Sequence, residues 1–242
     1  MTKDSIDAYD LPERVARYDA DMTVMHPNRS KMVEIALEVL PFGPGEPLAA
    51  QDIGVGTGYF TARFIEAFPS ASVHALDGAE AMIELARERL GRRQENVTFS
   101  VGDFRDLGRI LAGQRFDVVI SSYALHHLTR DEKRSVVRDA VSLLRPGGWL
   151  VNADIIVAES AHLEERIQDL RVRGIVQRAA AGDVRFADYE TARRYLDEME
   201  AAEGDQPITL KEDLLVLREA GLEDVAAFWV EYREAVTGGR KP

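Results

Sequence analysis

Between Leu48 and Val157, short apolar runs alternate with stretches in which apolar residues recur every three or four positions. LAAQDIG, Leu48 to Gly54, reads as a strand ending in glycines, and Thr57 to Phe68 carries Phe60, Phe64, Ile65 and Phe68 at helical spacing. ASVHALD is a second strand, and Ala79 to Leu90, rich in good helix formers, a second helix. Asn96 to Val101 predicts a third strand. FDVVISS, Phe116 to Ser122, is nearly all apolar, as a strand buried on both faces should be. Thr129 and Glu132 have the spacing of a capping box, opening a helix that stops before Pro146-Gly147-Gly148. Trp149 to Val157 is the fifth strand. This alternation predicts right-handed β-α-β crossovers and a parallel sheet covered on both faces.

Three segments lie outside the alternation. Residues 1–45 read as helical, with Tyr9, Val15, Tyr18 and Met22 among charged residues, and close on the breaker-rich PFGPGEP. Residues 158–208 are charged and helical, EERIQDLRVRG and ARRYLDEMEAAEG being typical. In the tail, Thr209 and Glu212 form a second capping box before LLVLREAG. Glu223 to Tyr232 is a sixth strand, and a short seventh falls near Glu234 to Val236. A single domain over residues 1–242 is expected: an N-terminal helical lid (1–45), a core (46–157), a helical insertion (158–208), and a C-terminal helix with the last strands (209–242).

Composition narrows the partners. At 242 residues and 45% hydrophobic, the chain has enough apolar surface for a real core. It has no cysteine, which removes disulfides, thiolate metal sites and cysteine nucleophiles together. No apolar run approaches the roughly 20 residues that span a bilayer, and MTKDSIDAYD lacks the apolar core of a signal peptide. The expectation is a cytoplasmic protein with no membrane partner. Thirty basic against forty-two acidic residues give a net charge of −12, which disfavours a nucleic-acid backbone as partner. A small-molecule partner is expected; a homodimer is left open.

The sharpest local feature is Asp52-Ile53-Gly54-Val55-Gly56-Thr57-Gly58, a glycine-rich turn between the first strand and the first helix. Open parallel sheets bind ligands at the carboxyl ends of their strands, where glycine lets the backbone turn and approach closely. The spacing is not that of the dinucleotide fingerprint, because Tyr59 stands where its third glycine would be, and no P-loop lysine follows. Asp77 ends the second strand, nineteen residues after Gly58, where a carboxylate can accept both hydrogen bonds of a ribose diol. Asp103 ends the third strand, placed to accept from an adenine amino group, and Phe104 beside it can pack on the ring. With Asp52, three consecutive strands close on an aspartate. Such a cleft suits a cationic sulfonium better than a pyrophosphate.

QDIGVGTG, VHALDGAEAMIELAR, VTFSVGDF, FDVVISSYALHHL and LLRPGGWLV, in this order and spacing, resemble the class I S-adenosylmethionine-dependent methyltransferases. The likeness covers about residues 48–157, with DLLVLREAGLEDVAAFW resembling the family's last helix and strand. It implies an α/β, Rossmann-like seven-stranded sheet, mostly parallel with the last strand antiparallel, and S-adenosyl-L-methionine as cofactor with S-adenosyl-L-homocysteine as product. It places Gly54, Val55 and Gly56 near the methionine portion and Asp77 at the ribose. Gly78 and Met82 would sit beside the adenosine, Asp103 and Phe104 at the adenine, and Ser121 or Ser122 at the methionine amino group. Gly78 departs from the polar residue the family often has there.

His126 and His127 follow the fourth strand, where an imidazole at the cleft mouth could take a proton from an acceptor hydroxyl or amine. As neighbours they are expected to point apart, with no third ligand spaced to join them in a metal site. Tyr123 is expected to line the same mouth. The N-terminal stretch, ALHHL and ARRYLDEM resemble more narrowly the carboxy-S-adenosylmethionine synthase branch. There a tyrosine at the position of Arg29 contacts the ligand, and an arginine at or next to Arg194 grips its added carboxylate. The leading expectation is an enzyme moving a methyl group to an oxygen or nitrogen of a small-molecule acceptor. Synthesis of the carboxylated cofactor and non-catalytic binding of S-adenosylmethionine are the alternatives.

Overall fold

The computed structural model describes Ile6, Tyr9 and residues 12–242. Residues 1–5, 7, 8, 10 and 11 of the expected lid lie outside the described residues. Helices α1 (Pro12–Met25) and α2 (Arg29–Glu38) precede β1 (Ala49–Ile53), α3 (Tyr59–Ala67), β2 (Ser72–Asp77), α4 (Glu80–Leu90) and β3 (Val97–Val101). Then come the single turn α5 (Leu107–Ile110), β4 (Phe116–Ser122), α6 (Arg130–Leu143) and β5 (Leu144–Ile155). Helices α7 (Ala161–Arg178) and α8 (Tyr189–Glu203) form the insertion, and α9 (Leu210–Glu219), β6 (Glu223–Glu231) and β7 (Glu234–Arg240) complete the chain. Both capping boxes are made: Thr129 with Glu132 opens α6, and Thr209 with Glu212 opens α9.

The seven strands form one sheet in the order β3-β2-β1-β4-β5-β7-β6, and β7 runs antiparallel to both neighbours. Strand order reverses between β1 and β4, which leaves a crevice at their carboxyl ends. Successive residues of β4 point to opposite faces. Val118 and Ile120 pack with Met32 and Ala36 of α2 and Phe60 and Phe64 of α3. Val119 packs with Val136 and Val137 of α6 and Val216 and Leu217 of α9.

Two strands differ from the expectation. β5 begins at Leu144, not Trp149: Leu144 pairs with Phe116 and Trp149 with Val118, so the breaker-rich residues between them are accommodated as an irregularity. β7 runs to Arg240, well past Val236, and pairs with β5 over seven residues. Its Thr237-Gly238-Gly239 stretch reads as a breaker, yet a Cβ at Gly238 would collide with the Leu150 carbonyl oxygen and one at Gly239 would stand 2.9 Å from that of Glu223. The backbone passes too closely between its neighbours for side chains there.

The insertion packs on the N-terminal helix rather than on the sheet. Met25 of α1 meets Val172 and Ile175 of α7, Phe186, and Ala192 and Leu196 of α8 in one apolar cluster. α1 and the insertion together roof the carboxyl ends of the strands.

Candidate functional site

The glycine turn leaves β1 with Gly54 and Val55 both donating to the Leu76 carbonyl, and Gly56 takes φ +51. Its N–H donates to Asp77 Oδ2 across 2.8 Å, while Asp77 Oδ1 accepts from Ala79 N–H at 3.0 Å. The turn and the end of β2 are thus one hydrogen-bonded unit. They open onto a cleft of about 590 Å³ including its mouth. Of the expected cofactor residues, Asp52, Gly54, Val55, Gly56, Asp77, Met82, Phe104, Ser122 and Arg29 line it, as do Tyr123 and His127.

Asp103, Ser121, Gly78 and Arg194 fall elsewhere. Asp103 does not face the cleft: its carboxylate accepts from the backbone N–H of Arg105 at 2.9 Å and from that residue's guanidinium at 2.9 Å. Ser121, inward-facing on β4, donates to the Ile53 carbonyl at 2.9 Å, so Ser122 is the serine at the cleft. Gly78 lies beneath Ile6, whose side chain a Cβ there would touch at 3.0 Å. Arg194 is exposed on α8, and its neighbour Arg193 pairs with Asp197 one turn on, at 2.9 Å. Neither arginine lines a cavity of the described residues that opens to the cleft.

Asp52 is fully buried and accepts from the Thr61 hydroxyl. Burial pushes its carboxyl up to about 7 against that hydrogen bond, and the Asp77 charge adds to the rise. Tyr123, next to β4, has φ +49, a conformation costing about 1–3 kcal/mol for a non-glycine residue. It is held by its N–H to the Ala153 carbonyl at 3.1 Å and by its hydroxyl, which donates to Glu234 at 2.7 Å. At the rim, Arg29 lies 4.2 Å from the Tyr59 ring centre and donates to Asp19 of α1 at 2.8 Å. Asp19 also accepts from Thr57 of the glycine turn at 3.0 Å and pairs with Arg89 of α4, so it ties α1 to the turn.

Behind the cleft is an inner cavity lined by Arg14, Met22, Met25, His26, His126, Ile155, Arg171, Met199, Glu203 and Asp205. The two spaces share Tyr9, Tyr18 and Tyr123 as a common wall. Four of the inner residues, Arg171, Met199, Glu203 and Asp205, come from the insertion and its exit. Nothing in their sequence spacing singles them out; they meet only because α7 and α8 pack together against α1.

The histidines sit differently from expectation. His126 is buried, not at the mouth: Asp154 Oδ1 lies 2.6 Å from its Nδ1. His127 reaches the cleft wall, its Nε2 3.3 Å from the Tyr9 hydroxyl, which donates to Glu203 at 2.9 Å. The two rings do not point apart. The tight turn Leu125–His127 sets them 4.1 Å apart, and Asp205 supplies the third group that the sequence spacing concealed. Burial lowers His126 but the charges of Asp154 and Asp205 outweigh it and hold the imidazole above its usual range. His127 is lowered by burial and by its neighbour His126.

Residues 50–148 match the methyltransferase domain family. A protein of Anoxybacillus flavithermus described as an uncharacterised methyltransferase is 37% identical over 128 residues, 53% of this chain and 57% of its own length. One of Bacillus subtilis, also described as an uncharacterised methyltransferase, is 32% identical over 153 residues, 63% of this chain and 67% of its own. The chain thus spans little more than half of the first relative and two thirds of the second. An O-methyltransferase family protein from Burkholderia thailandensis shares the fold with a TM-score of 0.66, over 97% of this chain and 63% of that one, at 19% identity. The strand order at the crevice and relatives of that description agree: the chain belongs to the class I S-adenosylmethionine-dependent methyltransferases.

Proposed function

We propose that this protein binds S-adenosylmethionine in the outer cleft and transfers its methyl group to an oxygen or nitrogen of a small molecule admitted on the far side of the cleft's tyrosine wall, where the inner cavity must widen to take it. One observation carries the reading: Tyr9, Tyr18 and Tyr123 wall both spaces, so ligands in the two would be separated by no more than these side chains.

The lining fits the cofactor. A Cβ at Gly56 would meet no protein atom within 4 Å, so the turn presents open backbone to the cleft. Asp52 and Asp77 supply carboxylates for an ammonium and a ribose, and Met82 and Phe104 an apolar bed for a purine. The cation at this rim, Arg29, is already paired with Asp19, so the cleft suits a positively charged ligand. Bound there, S-adenosylmethionine supplies a methyl group on an activated sulfonium.

The chain's own part is positioning and exclusion of water. Asp77, fixed by two backbone N–H groups, holds one end of the cofactor. Tyr123, fixed by Glu234 and Ala153, holds the wall between the two ligands. Arg14, Arg171 and Glu203 offer charged contacts to an acceptor, and the His126–His127–Asp205 group faces its reacting atom. An O-methyl acceptor accords with the Burkholderia protein's description. Neither Arg193 nor Arg194 lines the cleft, which favours the plain cofactor over a carboxylated one.

The test is calorimetric titration with S-adenosylhomocysteine, followed by a screen of hydroxyl and amine acceptors for release of that product. Binding and turnover with one acceptor class are expected. Binding of NADH in its place, or a carboxylated cofactor released from denatured protein, would overturn the reading.

A further inference from the structure

We propose that His126, His127 and Asp205 form a site for one divalent transition-metal ion of the zinc class, set between cofactor and acceptor. One candidate ligand atom from each lies within 4.8 Å of the others. His127 Nδ1 is 2.9 Å and His126 Nε2 3.6 Å from the same Asp205 oxygen. Ligands about 2.1 Å from a common ion stand about 3.0 Å apart at a right angle and about 3.4 Å apart at the tetrahedral angle. Both separations are close to those of a shared ion.

Unsatisfied polar atoms point the same way. His127 Nδ1 and Asp205 Oδ1 are buried and stand 2.9 Å from each other, and among the described residues neither has a well-aligned hydrogen-bond partner elsewhere. The His127 side chain is only 4% exposed. Asp154 Oδ2 is also buried and unpartnered among the described residues. Two other buried carboxylates in this part of the chain do have cations: Glu203 pairs with Arg14, and Asp213 with Lys133. Among the described residues, Asp154 and Asp205 have ion-pair partners only in the two histidines. Two carboxylates facing two imidazoles match the charge of one dication.

The outer partners are those a metal site needs. A ligating histidine is usually held through its other ring nitrogen, often by a carboxylate. Asp154 holds Nδ1 of His126 and leaves Nε2 toward Asp205; the Tyr9 hydroxyl meets Nε2 of His127 and leaves Nδ1. Two imidazoles and one carboxylate favour borderline ions such as Zn²⁺ or Co²⁺ over Mg²⁺ or Ca²⁺, and three protein ligands leave a position open. That position lies where His127 borders the cleft and His126 the inner cavity. A hydroxyl acceptor there would lose its proton to water more readily, keeping the electron pair on the oxygen to be methylated. The site stands on its own geometry; only its service to the acceptor rests on the methyl-transfer reading.

The test uses the full chain, stripped with a chelator and titrated with Co²⁺, read by visible absorption and by calorimetry. One equivalent should bind, and Zn²⁺ should displace it. Asp205→Asn and His126→Gln should each weaken Co²⁺ at least tenfold, and Asp154→Asn, through its hold on His126, about ten- to a hundredfold. The proposal is overturned if wild-type protein shows no saturable Co²⁺ binding up to about 1 mM, the limit of weak affinity. It is equally overturned if folded Asp205→Asn binds as wild type does. Should a variant fail to fold, the wild-type stoichiometry and Zn²⁺ competition still decide. S-adenosylhomocysteine binding without Co²⁺ binding would sink the metal site and spare the proposed function; the reverse would do the opposite.

Discussion

The backbone N–H of Gly56 donates to Oδ2 of Asp77 across 2.8 Å, which couples the glycine turn after β1 to the end of β2. The acid is therefore oriented before any ligand arrives. Asp77→Ala removes hydrogen bonds to a charged acceptor, each worth about 1.5–3 kcal/mol, so S-adenosylhomocysteine should bind roughly ten- to a hundredfold more weakly. Calorimetry giving wild-type affinity in a folded variant would remove Asp77 from the site.

Gly56→Ala should separate binding from stability. The new Cβ meets open space, so the folded chain bears mainly the left-handed backbone cost of about 1–2 kcal/mol. That space is the cleft itself, and the methyl should obstruct the cofactor. Urea unfolding and cofactor titration on the same variant should show a small stability loss beside a larger affinity loss. The opposite ranking would mean that the cofactor does not approach this turn.

Asp52 carries a pH signature. Its folded pKa, about 7, lies above the ordinary carboxyl value of 3.8 because burial disfavours the charge. A group raised in this way contributes stability that is complete below its unfolded pKa and is lost as pH rises through the folded one. The ligand-free chain should therefore lose stability relative to Asp52→Asn between about pH 4 and pH 7, by at most about 1.4 kcal/mol per pH unit. Urea unfolding at pH 5 and pH 8 measures this, and a constant difference between the two proteins would mean that Asp52 is ionised throughout. A cationic ligand beside it should also release a proton at pH 6.5, visible as buffer-dependent binding heats.

Asp19 joins α1 to Thr57, Arg29 and Arg89 at the cleft rim. If the N-terminal segment acts as a lid, Asp19→Ala should speed amide exchange across residues 12–25. Because Asp19 is substantially exposed, global stability should fall by no more than about 1 kcal/mol. Cofactor should slow exchange in the wild type more than in the variant. Equal protection with and without ligand would make this segment a fixed cap.

Arg194→Ala should leave cofactor binding and kcat within about twofold, since its side chain is exposed on α8 and lines neither the cleft nor the inner cavity. A loss beyond tenfold, with a carboxylated ligand found on the purified protein, would favour the synthase reading instead.

Residues close in the chain were legible from sequence alone. Glycine spacing, the apolar runs of β1, β2 and β4 and two capping boxes act within a few residues, so they define the α/β order and the turn that faces the cleft. The placement of Asp77, Met82, Phe104 and Ser122 follows from the ends of those elements. Asp103 and Ser121 show the limit: both lie at strand ends as expected, but the neighbouring Arg105 takes the carboxylate of one and the Ile53 carbonyl of the adjacent strand β1, 68 positions away, the hydroxyl of the other. Tertiary structure alone decided the rest. His126 and Asp205 are 79 positions apart, and α8 must pack on α1 before they meet. Arg194 and Glu203 share one helix, yet only the face carrying Glu203 turns inward, because Ala192 and Leu196 bury the stripe that sets the helix's rotation. Periodicity identifies which side of a helix is apolar, but which charged neighbour borders a cavity depends on what that side packs against.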